Sequence, residues 1–388
     1  MKPLAFRIFR TAWCLALCAL GAAAAFADTE WMILPAASES GRMLLHGIRD
    51  NSRPVSTDLR FEKPGRFQSL RIGSNKSKFN VAGINTCGVA VISTGGDPHR
   101  DRNPKPGKFN YSGSNAVNIL LRNCATAELA VANLRDGFKK RLIAGTLIFF
   151  IADAKRAFVV ECSPGHFASH ELSTGFCVYT NTWKLPGMDD ASLRSARSSG
   201  WNAQREWAVR ETLRNARKSG NRVSVAESIA ASRVGPEINT KENEKARDKG
   251  VIGNTPANRS SADGYLFEID REFPGVLSCV YVAFGPARHT VYLPVTLGAA
   301  EALPAELTPN PWKTAALARN KAAKPDSPID RRIVTFEKQL HAEFAKTREE
   351  ARKLLRDKND AEAKKLLQEA LQRQSADLNN FLGTLTKN

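Results

Sequence analysis

The sequence predicts an α+β fold: two antiparallel sheets with helices segregated outside them. Three observations carry this. Short apolar runs broken by Gly, Ser, Asn and Pro fill the segment from Asp28 to Thr94. Strand-like and helix-like text then alternate in blocks, not one by one as a doubly wound sheet requires. From Ser327 onward, apolar residues fall only at helical intervals.

Taken in order, EWMILPA, GRMLLHGI, RFQSLRI, FNVAGI and CGVAVIST read as strands, the first two joined by a turn at Ser38 to Gly41. Gly95 to Asn115 is dense in Gly, Pro and charge and reads as an exposed loop. AVNILLRNCATAELAVANLRDGFKKRLIAG carries helical spacing, as one helix pair or one broken helix, with Thr126 placed as an N-cap before Glu128. TLIFFIADAKRAFVVECSPG is a hairpin turning at Asp153 to Arg156, followed by the strand GFCVYTNTW. Ser192 to Ala231 is helical by pattern, and Thr240 to Gly264 is polar and turn-rich, a long loop. YLFEID, GVLSCVYVAFG and HTVYLPVT supply further strands. In the tail, Ile333, Phe336, Leu340 and Phe344, then Leu366, Leu367, Leu371, Leu378 and Leu382, read as a helical hairpin packed on the body, with a detached coiled coil as the alternative.

The 388 residues are 42% hydrophobic and 25% charged, a balance that excludes wholesale disorder and a multi-span membrane protein. Lys2, Arg7 and Arg10 precede the apolar run TAWCLALCALGAAAAFA, and Ala25-Phe26-Ala27 supplies small residues at the positions a signal peptidase reads. Residues 1–27 are therefore expected to be a cleaved signal peptide. The mature chain would begin at Asp28 and be secreted or periplasmic, with no transmembrane segment remaining. Cleavage lowers the formal net charge of +18 by three and leaves Cys87, Cys124, Cys162, Cys177 and Cys279. Odd in number and scattered, these read as buried thiols or one incidental bridge. The body is expected over 28–300, a linker over 301–326 and the helical tail over 327–388.

Chemical motifs are mostly absent. There is no phosphate-binding Walker loop, HExxH, paired CxxC or GxSxG. His166 and His170 stand four apart, but in strand-like text, where that spacing does not converge on a metal. No metal site and no cofactor are expected, and neither zinc spacing nor RNP-like aromatics point to specific nucleic-acid binding.

The order DTEWMILPAASESGRMLLHGIRDN, GINTCGVAV, LIFFIADAKRAFVVE and FCVYTNTW resembles the N-terminal nucleophile (Ntn) hydrolases. The closest groups are the linear-amide hydrolases: choloylglycine hydrolases, the isopenicillin N acyltransferase group and secreted dipeptidases. The resemblance covers roughly Asp28 to Pro294 and implies a four-layer αββα sandwich. In that family the first mature residue, usually Cys followed by Thr, is the nucleophile and its own α-amine the base.

Here the first mature residue is Asp28, followed by Thr29, Glu30 and Trp31. A carboxylate is a poor nucleophile toward an amide and tends to ion-pair with the amine, so Cys-dependent hydrolysis should be lost. The resemblance makes Asp50 the residue that holds the amine and Asn181 the donor to the tetrahedral oxyanion. Arg49 precedes Asp50, Ile48 stands where Asn is expected, and Arg259 lies roughly where choloylglycine hydrolases keep an arginine. Gly83, Asn85, Gly88 and Ala90 match the family's second stretch, and Ser93-Thr94-Gly95 fill a region that often supplies an Asn donor. Read without the resemblance, Asp50 caps a turn beside Asn51, Asn181 ends a strand, Arg259 is a solvated loop charge, and Gly83 and Gly88 serve backbone conformation.

Three functions follow. The chain is an Ntn-like protein without Cys chemistry that binds a small amide or peptide-like ligand or a partner. Alternatively it is an active amidase or peptidase whose end is trimmed to Thr29, or a basic secreted module that contacts anionic envelope polymers.

Overall fold

The structure is a computed structural model that describes residues 28–50, 58–63, 65–74, 79–96, 111–188, 196–220, 222–235, 256–257, 261–307, 312, 316, 318–319 and 329–385. The strands are β1 (Thr29–Ile33), β2 (Met43–Asp50), β3 (Asp58–Glu62), β4 (Ser69–Ser74), β5 (Phe79–Asn85), β6 (Ala90–Gly95), β7 (Leu147–Ala152), β8 (Ala157–Cys162), β9 (Phe167–Glu171), β10 (Phe176–Thr180), β11 (Ser261–Ile269), β12 (Cys279–Ala283) and β13 (Tyr292–Thr296). The longer helices are α1 (Gly113–Asn123), α2 (Ala127–Lys139), α3 (Ala196–Gly220), α4 (Val225–Ser232), α5 (Arg331–Arg356) and α6 (Asp360–Leu385).

The strands form two sheets, a six-stranded one in the order β10-β1-β2-β11-β12-β13 and a seven-stranded one running β3 to β9 in sequence order. Every pairing is antiparallel. Alternation along each strand divides the apolar residues between two faces. Met32, Leu45, Tyr265 and Val282 of the first sheet meet Leu70, Ile84, Ile92 and Phe150 of the second in the central core. The other face of the first sheet, with Trp31, Ile48 and Leu266, packs against Val209 and Leu213 of α3, Ile229 of α4 and Phe344 of α5. Val91, Phe149 and Val160 of the second sheet pack against Val117 and Leu121 of α1 and Val131 and Leu134 of α2. These layers are the αββα sandwich that the resemblance implies.

Local signals explain the element ends. Thr126 caps α2, its Oγ1 accepting from the Leu129 N–H at 3.2 Å. Ser224 and Glu227 form a reciprocal capping box at α4. Gly88 sits at φ +80 between β5 and β6, where a Cβ would also meet Pro274 Cβ at 2.8 Å. At Gly83 the reason is proximity: a Cβ would lie 2.6 Å from Leu121 Cδ1, so α1 packs directly on the sheet. The tail is a helical hairpin, α5 turning into α6 at Lys358 with φ 60. Leu340, Leu355, Leu367, Leu371 and Leu378 join the central core, and Phe336 stacks on Phe381 at 4.2 Å.

The structure sharpens the sequence reading in three places. DLRFE forms β3, a strand whose polar residues hide its period. Of the two readings of the helical stretch, the structure has the helix pair, separated at Cys124 to Thr126. β11 begins at Ser261, inside the text read as loop, because its polar first half pairs with Asp50 and Arg49 of β2. Residues 1–27 and Arg259 lie outside the described residues, as does much of 301–326, of which Trp312 and Ala316 are buried.

Candidate functional site

The site lies where β1 begins, between β10 and β2. Thr29 faces Thr180 on one side and Ile48 on the other. One residue further, the same register sets Asp28 between Asn181 and Arg49. Alternation then sorts the side chains. Asp28 and Glu30 share the inward face with Met32, whereas Thr29 shares the outward face with Trp31 and Ile33, toward the helices.

Both Asp28 oxygens are engaged. The Asp50 backbone N–H donates to Oδ1 at 3.0 Å, and the Thr94 hydroxyl, reaching from β6 of the opposite sheet, donates to Oδ2 at 2.8 Å. Asn181 Nδ2 donates in turn to Thr94 Oγ1 at 3.2 Å and to the Gly95 carbonyl at 2.7 Å. The hydroxyl that holds Asp28 is therefore itself held by Asn181.

Asp50 turns its carboxylate outward, accepting from Arg205 Nη1 of α3 at 3.1 Å and from the Ser261 hydroxyl at 3.0 Å. Arg205 is buried and also donates to Asn202 Oδ1 at 2.6 Å and Asn181 Oδ1 at 3.4 Å. Arg49 donates to Asp263 of β11.

Glu30 is the least satisfied carboxyl of the site: it is buried, neither oxygen makes a hydrogen bond of ordinary geometry, and the nearby Thr94 hydroxyl is already given to Asp28. Burial raises its pKa well above the ordinary carboxyl value and the Asp28 charge adds to the rise; Arg205 and Thr94 oppose it without cancelling it. The Asp28 pKa is also raised by burial, against the hydrogen bonds from Thr94 and Asp50 and the charges of Arg49 and Arg205. Burial, then the charges of Glu30 and Asp28, push the Tyr265 hydroxyl well above its usual value. Two coupled carboxyls in a dry interior hold protons that water would take. For Glu30 as for Asp28 the shift runs toward the neutral form. A neutral carboxylic acid can donate one hydrogen bond and accept another.

The sequence-named Asp28, Asp50, Asn181, Thr29 and Arg49 converge here, with Thr29 directed to the helix side. The sequence reading did not name Glu30, Arg205, Asp263 or Ser261 as site residues. One signal was available: two acids at i and i+2, in phase with the core residue Met32. His166 and His170 stand at and within β9, remote in the sheet order. All five cysteines described are free thiols. Among the described residues no group of three or more His, Cys, Asp or Glu could hold a metal ion, and no helix is long and apolar enough to cross a membrane.

No family model matches the chain, and no curated protein matches it. Among solved structures it is similar to a penicillin V acylase from Agrobacterium tumefaciens, at 18% identity and a TM-score of 0.43, over 69% of this chain and 86% of that one. It is similar to a mutant conjugated bile acid hydrolase from Clostridium perfringens, at 14% identity and a TM-score of 0.43, over 66% and 89%. A third is a Caenorhabditis elegans N-acylethanolamine-hydrolyzing acid amidase ortholog, at 13% identity and a TM-score of 0.40, over 64% and 93%. The likeness is one of architecture.

Proposed function

We propose that the chain is an exported Ntn-hydrolase-like protein in which amide hydrolysis through an N-terminal thiol is lost, and that the Asp28 end of β1 binds a small amide- or amine-bearing ligand. The observation that carries this is the contrast between two neighbouring carboxyls. Asp28, at the nucleophile position, is tied on both oxygens, and Glu30 beside it is tied on neither. A carboxylate held on both oxygens is a still poorer nucleophile, and Asn181, the oxyanion donor that the resemblance implies, has its amide hydrogens committed to Thr94 and Gly95. An orphaned buried carboxyl costs about 1–3 kcal/mol until a partner arrives, and a ligand N–H is the complement it lacks.

The Thr29 mechanism is disfavoured by the same alternation. Trimming to Thr29 leaves its side chain on the face of Trp31 and Ile33, opposite to the face on which Thr94 meets Asp28.

The test is an assay of the secreted chain, its first residue fixed by mass spectrometry, against acyl amides and dipeptides. The expected result is a chain starting at Asp28 that turns over neither, yet melts higher with one of these compounds present. That gain should disappear in Glu30→Met. Turnover, covalent labelling of the first residue, or a chain starting at Thr29 would overturn the reading.

A further inference from the structure

A second polar cluster lies on the other sheet and takes no part in the site above. Arg71 of β4 is fully buried. Its Nε donates to Ser69 Oγ at 2.8 Å, and its Nη1 donates to Glu62 Oε2 and to Asn118 Oδ1, each at 2.7 Å. Its Nη2 is buried with no acceptor. Arg122, in the last turn of α1, donates from Nη2 to the same Glu62 oxygen at 3.4 Å, and its buried Nε has no acceptor either. Arg60 of β3 donates to Asn80 Oδ1, while Asn80 Nδ2 donates to Asn118 Oδ1 at 2.6 Å.

Two of these acceptor oxygens are filled. One carboxylate oxygen serves two guanidiniums, and one amide oxygen serves Arg71 and Asn80 together. The Arg71 pKa falls to about 10, through burial first and then the neighbouring charges of Arg122 and Arg60, with Glu62 opposing. A purely structural role, pinning α1 to the sheet, accounts for Nε and Nη1 of Arg71. It leaves Nη2 of Arg71 and Nε of Arg122 unexplained, and a buried guanidinium N–H without an acceptor is costly. Arginine forks around excess positive charge suit phosphate and sulfate oxygens better than a lysine would. The cluster also has a way in: the Arg122 side chain is 41% exposed and Glu62, beside it, 23%.

We propose that Arg71, Arg122 and Arg60 form a seat for a phosphate- or sulfate-type oxyanion group of a small ligand, at the β3–β4 edge of the seven-stranded sheet. The oxyanion accepts from Arg71 Nη2 and Arg122 Nε, and Arg60 supplies a third positive charge. This seat is independent of the Asp28 site.

The test is calorimetric titration of the full chain with inorganic phosphate at constant ionic strength set by chloride. A single saturable site is expected. Arg122→Gln, at a half-exposed position, should weaken it about 10- to 100-fold, the loss of one charge-assisted hydrogen bond, with an unchanged circular dichroism spectrum. Lys140→Gln, an exposed cation at the C-cap of α2, should leave it unchanged. Vesicles containing phosphatidylglycerol form a second arm. Tighter binding to vesicles than to phosphate, also lost in Arg122→Gln, would identify the source of the phosphoryl group as a lipid surface, and the reverse a free phosphate. Heat no different from that of chloride, equal binding by Arg122→Gln, or tighter binding of acetate than of phosphate would overturn the proposal.

Discussion

The two ends of β2 and β11 hold opposite electrostatic arrangements. At one end, Asp28 and Glu30 stand close to Asp50, Asp263, Arg49 and Arg205, and the Asp28 and Glu30 pKa values are raised. At the other, Glu268 and Asp270 meet Arg42 of the turn before β2 and Arg348 and Arg352 of α5. There burial also pushes upward, but Arg348 and Arg42 outweigh it and hold Glu268 at about 2. For Asp270 the hydrogen bond from Arg352 leads the opposition, and its carboxyl lies well below the usual range. Both ends are dry, so burial does not decide the sign; the guanidiniums that reach each carboxyl do. A carboxyl with its own arginine fastens the tail to the body, whereas one left without a partner is available to a ligand.

The largest effect expected is at the fastened end. Arg348→Met leaves the buried Glu268 only the Arg42 guanidinium and the Tyr281 hydroxyl and should cost up to about 3 kcal/mol in urea unfolding. A much smaller loss would mean that the hairpin is held by its apolar contacts and by the remaining pairs Arg352–Asp270 and Arg233–Glu337.

The pH dependence should separate the two ends by sign. Glu268 and Asp270 have depressed pKa values, so their contribution is complete above the unfolded values of about 4.5 and 3.8 and is lost as pH falls below them. Glu30 and Asp28 have raised values, so the folded state keeps protons that the unfolded state releases, and stability falls as pH rises above those same unfolded values toward the folded ones. Melting followed from pH 3 to pH 8 in Arg348→Met and Glu30→Met should flatten the acid limb in the first and the rising-pH limb in the second.

At the ligand end, Thr94→Val removes the donor to Asp28 Oδ2 and the acceptor for Asn181, and should cost about 1–3 kcal/mol by denaturant titration. Glu30→Met replaces an orphaned carboxyl with an apolar side chain of similar length and should gain about 1 kcal/mol at pH 8. A loss there would show that Glu30 has a stabilising partner.

The sandwich was legible because its strands carry short apolar runs between turn residues, and the start of α2 because Thr126 stands just before Glu128, whereas the Ser224–Glu227 capping box of α4 was not read. Asp50 and Asn181 were legible only through a resemblance. Arg205 was not, since nothing local marks one arginine of α3 as the partner of an aspartate 155 residues away. Ser261 and Asp263 were hidden by their own polarity: site residues inside a sandwich look, in one dimension, like a loop. Glu30 looked like the solvent face of a strand whose two faces are in fact both buried.

The most direct measurement is the titration of the Glu30 carboxyl carbon by NMR, in the chain beginning at Asp28, labelled at glutamate and assigned by comparison with Glu30→Met. A midpoint well above that of exposed glutamates, shifting when Thr94→Val alters Asp28, is predicted. A midpoint in the ordinary range would contradict the account, since Glu30 would then have solvent or a partner and no place waiting for a ligand.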